Sequence, residues 1–281
     1  MADLIDSYSE SNYSTLEGVY GGSVEGLAQS FTGVAKKITS CKFYLTKSNN
    51  PSGNIYAKLY AHTGTFGISS KPTGPALATS DALDISGVSS ATINLHEFTF
   101  SGANQYLMSA ATKYCIIIEF TGGNSNNRLY VGADSSSPTA GGNAAYLFSS
   151  TWYETGSEDM CFYVYGEAAA VGPTVLTSAC DQILIYSVRG NGNITNTGGE
   201  NCTRRGFCYK AGTSGDPTTS DSTAYDDSSY GTGAYTKVIT GLKPNTTYRV
   251  RAYAVNTAGT GYGTTVSVTT DQSGRFFILF Q

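Results

Sequence analysis

Apolar residues come in short runs along the chain rather than at helical spacing. Residues 38–45 (ITSCKFYL) and 55–60 (IYAKLY) roughly alternate between apolar and polar positions. So do residues 97–100 (EFTF), 114–120 (YCIIIEF), 128–131 (RLYV) and 160–165 (MCFYVY). β-Branched and aromatic side chains dominate these runs, as they do in strands. Turn formers separate them: residues 48–53 (SNNPSG), 122–127 (GGNSNN) and 135–138 (SSSP). Short strands at such spacing predict an antiparallel sandwich or barrel. A second series runs through residues 183–186 (ILIY), 205–209 (RGFCY), 235–239 (YTKVI), 248–255 (YRVRAYAV) and 266–269 (VSVT). Residues 167–173 (EAAAVGP) between the two series read as a linker. The expected organisation is an N-terminal arm over 1–28, a sandwich over 29–166, a linker over 167–172, a second sandwich over 173–270 and an apolar tail over 271–281.

Composition narrows the partners. The 281 residues suffice for two domains with cores of their own. Only 14% of residues are charged, yet 40% are apolar, which is too many for a disordered chain. With 17 basic and 21 acidic residues the net charge is −4, and no basic stripe is visible, so no nucleic-acid partner is expected. No apolar run approaches the length of a membrane span, so no membrane partner is expected either. Residues 1–10 (MADLIDSYSE) have neither a basic nor an apolar signal region, so no Sec signal peptide is expected. The six cysteines, Cys41, Cys115, Cys161, Cys180, Cys202 and Cys208, form no CxxC and no Cys/His cluster, which argues against zinc. They read as free, mostly buried thiols, with a Cys202–Cys208 bridge as the alternative. Asn12, Asn193, Asn201 and Asn245 stand in N-x-S/T frames and are read as unmodified.

Residues 241–248 (GLKPNTTY), followed by 249–256 (RVRAYAVN) and Gly259, resemble the E–F corner and F strand of fibronectin type III domains. The resemblance implies that Leu242 plugs the end of the core, that Pro244 and Asn245 make the corner, and that Tyr248 ties its hydroxyl to nearby backbone. It implies that Val250, Ala252 and Ala254 face the core, or that their neighbours do in the other register. Residues 205–209, Asp216, Pro217 and the Asp221 region resemble the C-strand pattern of bacterial and phage members. The disulfide and core Trp of antibody domains are missing. In the first half, residues 29–32 (QSFT), 43–45, 51–53, 57–60, 98–101 and 159–166 resemble a jelly-roll module of the kind found in phage structural and carbohydrate-binding surface proteins. The expected fold is therefore all-β: a jelly-roll β-sandwich, then a fibronectin type III β-sandwich.

Catalytic signatures are missing. His62 and His96 lie in separate segments, and there is no HExxH, GxSxG, Walker loop or GxGxxG. The expectation is a protein that is not an enzyme. Trp152 and Tyr153, in residues 149–156 (SSTWYETG), are the candidate glycan-binding pair, because exposed aromatics serve as stacking platforms. The alternative is that Trp152 packs over the end of the sandwich core. No cofactor is expected, save a structural calcium near Glu158 and Asp159, where the alternative is a solvated turn. Arg275, Phe276, Phe277, Ile278, Leu279 and Phe280 form an apolar tail that needs covering. It either folds back on its own domain or pairs with another subunit.

These features point to a non-catalytic structural protein of a phage particle, such as a decoration protein, head fibre or tail appendage, located on the virion. Its partners would be other virion or surface subunits, including copies of itself, and cell-surface glycans. The alternatives are a bacterial extracellular adhesin or filament subunit on the cell surface, and a carbohydrate-binding accessory module.

Overall fold

The structure, a computed structural model, describes residues 2–272; the tail candidates Arg275–Phe280 lie outside the described residues. The described residues form no α-helix, only three single turns of 3₁₀ helix among strands. Among the described residues no helix is long and apolar enough to cross a membrane. The chain divides into two compact units, Met1–Ala169 and Ala170–Gln281.

The strands of the first unit are β1 (Asp3–Tyr8), β2 (Thr15–Val19), β3 (Val24–Thr32), β4 (Lys37–Lys47), β5 (Asn54–Thr63), β6 (Lys71–Thr79), β7 (Leu83–Asp84), β8 (Asn94–Thr99), β9 (Lys113–Glu119), β10 (Leu129–Asp134), β11 (Ala144–Phe148), β12 (Thr151–Thr155), β13 (Asp159–Met160) and β14 (Phe162–Glu167). They form two sheets. One runs β1-β14-β4-β10-β13, with β2 on β10 and β8 on β4; the other runs β12-β11-β3-β9-β5-β6, with β7 on β5. Every pairing is antiparallel. Phe31, Phe43, Phe98, Phe120 and Phe162 fill the space between the sheets of this jelly-roll sandwich.

The arm expected over residues 1–28 is instead part of the sandwich. β1 pairs with β14, β2 pairs with β10, and β3 begins at Val24. The apolar signal is weak there because β1 and β2 bury little beyond Tyr8 and Val19. The Tyr8 hydroxyl donates to Asp134 at 2.7 Å, which pins β1 to the far end of β10.

The run around residues 114–118 does not alternate because both faces of β9 are covered. Tyr114, Ile116 and Ile118 point into the main core. Cys115 and Ile117 point outward and join Ala28 and Ala145 in a second apolar cluster on the outer face, under Tyr60 and Trp152.

The second unit holds β15 (Thr174–Asp181), β16 (Ser187–Asn196), β17 (Cys202–Ala211), β18 (Ser222–Tyr230), β19 (Gly233–Thr240), β20 (Thr247–Asn256) and β21 (Gly259–Thr269). A three-stranded sheet β15-β16-β19 faces a four-stranded sheet β18-β17-β20-β21, which is a fibronectin type III sandwich. Val250, Ala252 and Ala254 are the core-facing set of β20. Phe207 and Tyr235, with ring centres 5.5 Å apart, fill the middle of the core. β16 makes room for them with glycine, since a Cβ at Gly190 would stand 2.9 Å from the Phe207 ring. Residues 183–186, expected as a strand, form the loop between β15 and β16, where Ile183, Leu184 and Tyr186 are exposed. The chain turns at Gln182 (φ 45°), and the run continues that turn, its Leu184 N–H donating to the Ser187 carbonyl at 2.9 Å. Part of the expected linker belongs to this unit: the Val171 N–H donates to the Gly198 carbonyl at 2.8 Å.

Each unit has a tyrosine that ties down the start of a core strand. The Lys243 N–H donates to the Tyr248 hydroxyl at 2.9 Å. The Ser109 N–H donates to the Tyr114 hydroxyl at 3.0 Å. The spacing around them is the same. A buried apolar residue, Leu242 or Met108, stands six positions before the tyrosine. A residue with positive φ, Asn245 (44°) or Ala111 (60°), stands three before it. Pro244 lies inside the turn next to Asn245. All six cysteines are free thiols. Cys202 and Cys208 lie on one extended strand, six residues or about 20 Å apart, so they do not reach each other.

Candidate binding cleft

The β11–β12 hairpin sits at the edge of its sheet and separates two different surfaces. Its two-residue turn is Ser149-Ser150, with φ of 49° and 64°. Two positive φ values fit the twist of a tight hairpin but strain residues that carry a Cβ. Across the hairpin Tyr146 faces Tyr153, Leu147 faces Trp152, and Ala144 faces Thr155. Because side chains alternate along a strand, Tyr153 and Thr155 lie on one side of β12 and Trp152 and Glu154 on the other.

Trp152 and Tyr153 are therefore not brought together. Trp152 is half-buried and forms a lid on the outer-face cluster of Ala28, Cys115, Ile117 and Ala145. It lies neither at the end of the core nor open as a platform. Glu154, on the same side, pairs with Lys71 at 3.4 Å. Tyr153 is 43% exposed and stacks on Tyr146, with ring centres 5.4 Å apart and planes 19° apart.

Tyr146 also lines a cavity of about 300 Å³ where the two sheets part. Val24, Leu27, Ala133, Ala144 and Met160 make its apolar walls. Glu17 from β2, Glu158 from the turn before β13, and Thr155 from β12 supply its polar groups. Burial pushes the Glu158 carboxyl up, and the nearby Glu17 charge adds to the rise. The Thr155 hydroxyl lowers it a little, but that hydroxyl oxygen is buried and makes no hydrogen bond of ordinary geometry.

Asp159 faces elsewhere. It is buried, and Gln29 Nε2 and the Ala140 N–H donate to its two oxygens at 2.7 and 2.8 Å. The Gln29 carbonyl in turn accepts from the Met160 N–H at 2.8 Å. Burial raises the Asp159 pKa, and the Gln29 and Ala140 bonds oppose the rise. This network braces β13 against β3 behind the cavity. Glu158 and Asp159 thus face different surroundings. Among the described residues no three His, Cys, Asp or Glu side chains converge as a metal site. Asp134 is saturated by Tyr8, by Ser14 Oγ at 2.9 Å and by Ser136 Oγ at 2.7 Å, and these bonds hold its pKa far below the usual carboxylate range, the Tyr8 bond most of all. His62 Nε2 contacts Ser70 Oγ at 3.0 Å on one sheet, while His96 lies on β8 of the other.

Sequence reasoning missed Glu17, Tyr146 and Thr155. A signal existed for two of them. Residues 144–155 (AAYLFSSTWYET) read as a hairpin about Ser149-Ser150, which places Tyr146 beside Tyr153 and Thr155 on the same face. Nothing local points to Glu17, which comes to the cavity through the long-range pairing of β2 with β10.

No family model matches the sequence, and no curated protein matches it. Among solved structures, the chain is similar to a short version of the sensor domain of the anti-sigma factor RsgI4 from Pseudobacteroides cellulosolvens. The identity is 13% over 37% of this chain and 100% of that one, with a TM-score of 0.29. It is also similar to the FN1-FN3 domains of chicken CNTN1, at 14% identity over 92% of this chain and 67% of that one, with a TM-score of 0.30. Likenesses this distant have no bearing on what the chain does.

Proposed function

We propose that this chain is a non-catalytic attachment and display protein of a phage particle, a decoration protein, head fibre or tail appendage, whose first sandwich holds cell-surface glycans weakly through the β11–β12 cleft. The observation that carries the reading is the stack of Tyr146 and the exposed Tyr153 beside a cavity with apolar walls and two carboxylates. A sugar offers an apolar ring face for stacking and hydroxyls for acceptors, and small-molecule sites commonly combine such walls with a few polar groups. A single shallow site binds weakly, so attachment relies on many copies acting together. The second sandwich spaces the site from its anchor. The tail Arg275–Phe280, outside the described residues, joins the chain to other subunits.

A glycan array read with the chain displayed in many copies tests the reading. Binding that is lost in Tyr153→Ala, with the fold retained, supports it; an array with no signal overturns it. Antibody labelling of purified particles locates the protein, and label found on bacterial cells instead assigns it to a surface adhesin.

A further inference from the structure

We infer that the cleft selects a cationic sugar, a glycan unit that carries a free ammonium group on its ring. The inference rests on the glycan reading and names the ligand class of that site. It begins with how the carboxylates of the first unit are satisfied. Asp134 accepts five hydrogen bonds and Asp159 two. Glu119 and Glu154 pair with Lys58 and Lys71. Among the described residues, Glu17 and Glu158 take part in no ion pair, and no donor reaches them in ordinary hydrogen-bond geometry, yet both line the same cavity and repel each other there.

Two like charges at a partly desolvated site oppose each other unless a cation enters. No Lys or Arg side chain lines the cavity to fill that role. The chemistry also argues against a metal ion. Calcium requires six to eight oxygens, and no cluster of three acidic or metal-binding side chains is present among the described residues. An ammonium group needs only three acceptors, and the Glu17 and Glu158 carboxylates offer four oxygens between them. Val24, Leu27 and Met160 would meet the ring carbons, and Tyr146 with Tyr153 would extend the contact to a second ring. At about 300 Å³ the cavity is at the small end for a ligand site, which suits one ring of a longer chain.

Titration calorimetry of the full chain with a glucosamine tetramer, beside the N-acetylated tetramer, tests this. The free amine should bind about tenfold more tightly, as a charge-assisted contact predicts. Glu158→Gln and Glu17→Gln, each with unchanged circular dichroism, should each erase most of that preference. Equal or tighter binding of the N-acetylated form overturns the inference and leaves the glycan reading standing. A preference for the amine that survives both substitutions also overturns it, because general attraction to an acidic protein would explain it. Binding of neither tetramer, with no signal on the glycan array, overturns both.

Discussion

Tyr114 and Tyr248 do the same work in the two units. Tyr248 stands in a stretch whose Pro244 and Asn245 mark a corner. Tyr114 opens the apolar run of residues 114–120, and the run hides it. Both hydroxyls accept a backbone N–H five residues upstream, and both rings are buried. Replacing either by Phe keeps the ring but leaves that N–H unmatched, a loss of about 1–2 kcal/mol. Tyr114→Phe should lower the stability of the first unit and Tyr248→Phe that of the second, by similar amounts. Urea unfolding resolved by unit would show it; no change in either case would mean that water replaces the bond without loss. Glu158 makes a prediction of opposite kind. Its folded pKa is raised above the ordinary 4.5. Below that value both the folded and the unfolded chain hold the proton, and there is no penalty. As pH rises past it, the unfolded chain ionises first, so stability falls until the folded carboxyl has ionised too. Glu158→Gln should therefore raise the melting temperature at pH 7 and leave it unchanged near pH 3. Asp134, whose folded pKa is depressed, works in reverse and loses its contribution as pH falls.

At the scale of elements, strands were legible where their buried positions carry large apolar side chains, and β16 escaped because two of its four core-facing positions are glycine. The runs at 38–45, 55–60 and 248–255 became β4, β5 and β20. β2, β11, β12 and β18 escaped because their apolar residues are few or their two faces look alike; β18 (STAYDDSSY) has no buried position at all. Trp152 and Tyr153, read from the sequence as one pair, lie on opposite faces of β12, since adjacent positions on a strand alternate. That separation is testable. Trp152 covers Cys115, whose thiol burial pushes up to about 12. Trp152→Ala should open the outer face and speed alkylation of Cys115 by iodoacetamide, read by peptide mass spectrometry, without weakening glycan binding in the cleft. If glycan binding falls as far as it does in Tyr153→Ala, the ligand lies on the outer face and the cleft is not the site.

For the whole molecule, the all-β class, the two-unit organisation and the type of the second sandwich follow from the alternation, the linker and residues 241–259. The proposed assembly rests on the tail. The last described contacts lead toward an apolar surface: the Asp271 N–H donates to the Leu184 carbonyl at 3.2 Å, and the Asn245 N–H donates to the Asp271 carbonyl at 3.0 Å. Ile183, Leu184 and Tyr186 are exposed beside that point, at 37%, 58% and 59%. An apolar patch of this kind on one end of a sandwich favours a covering partner. A chain ending at Asp271 keeps both hydrogen bonds and loses only the tail, so it tests the tail alone. Light scattering should find the full chain associated and the shortened chain a folded monomer with an unchanged melting temperature. A fall in melting temperature with no change in mass would mean that the tail covers the patch of its own unit. Two monomers of equal stability would leave the tail without a role in self-association.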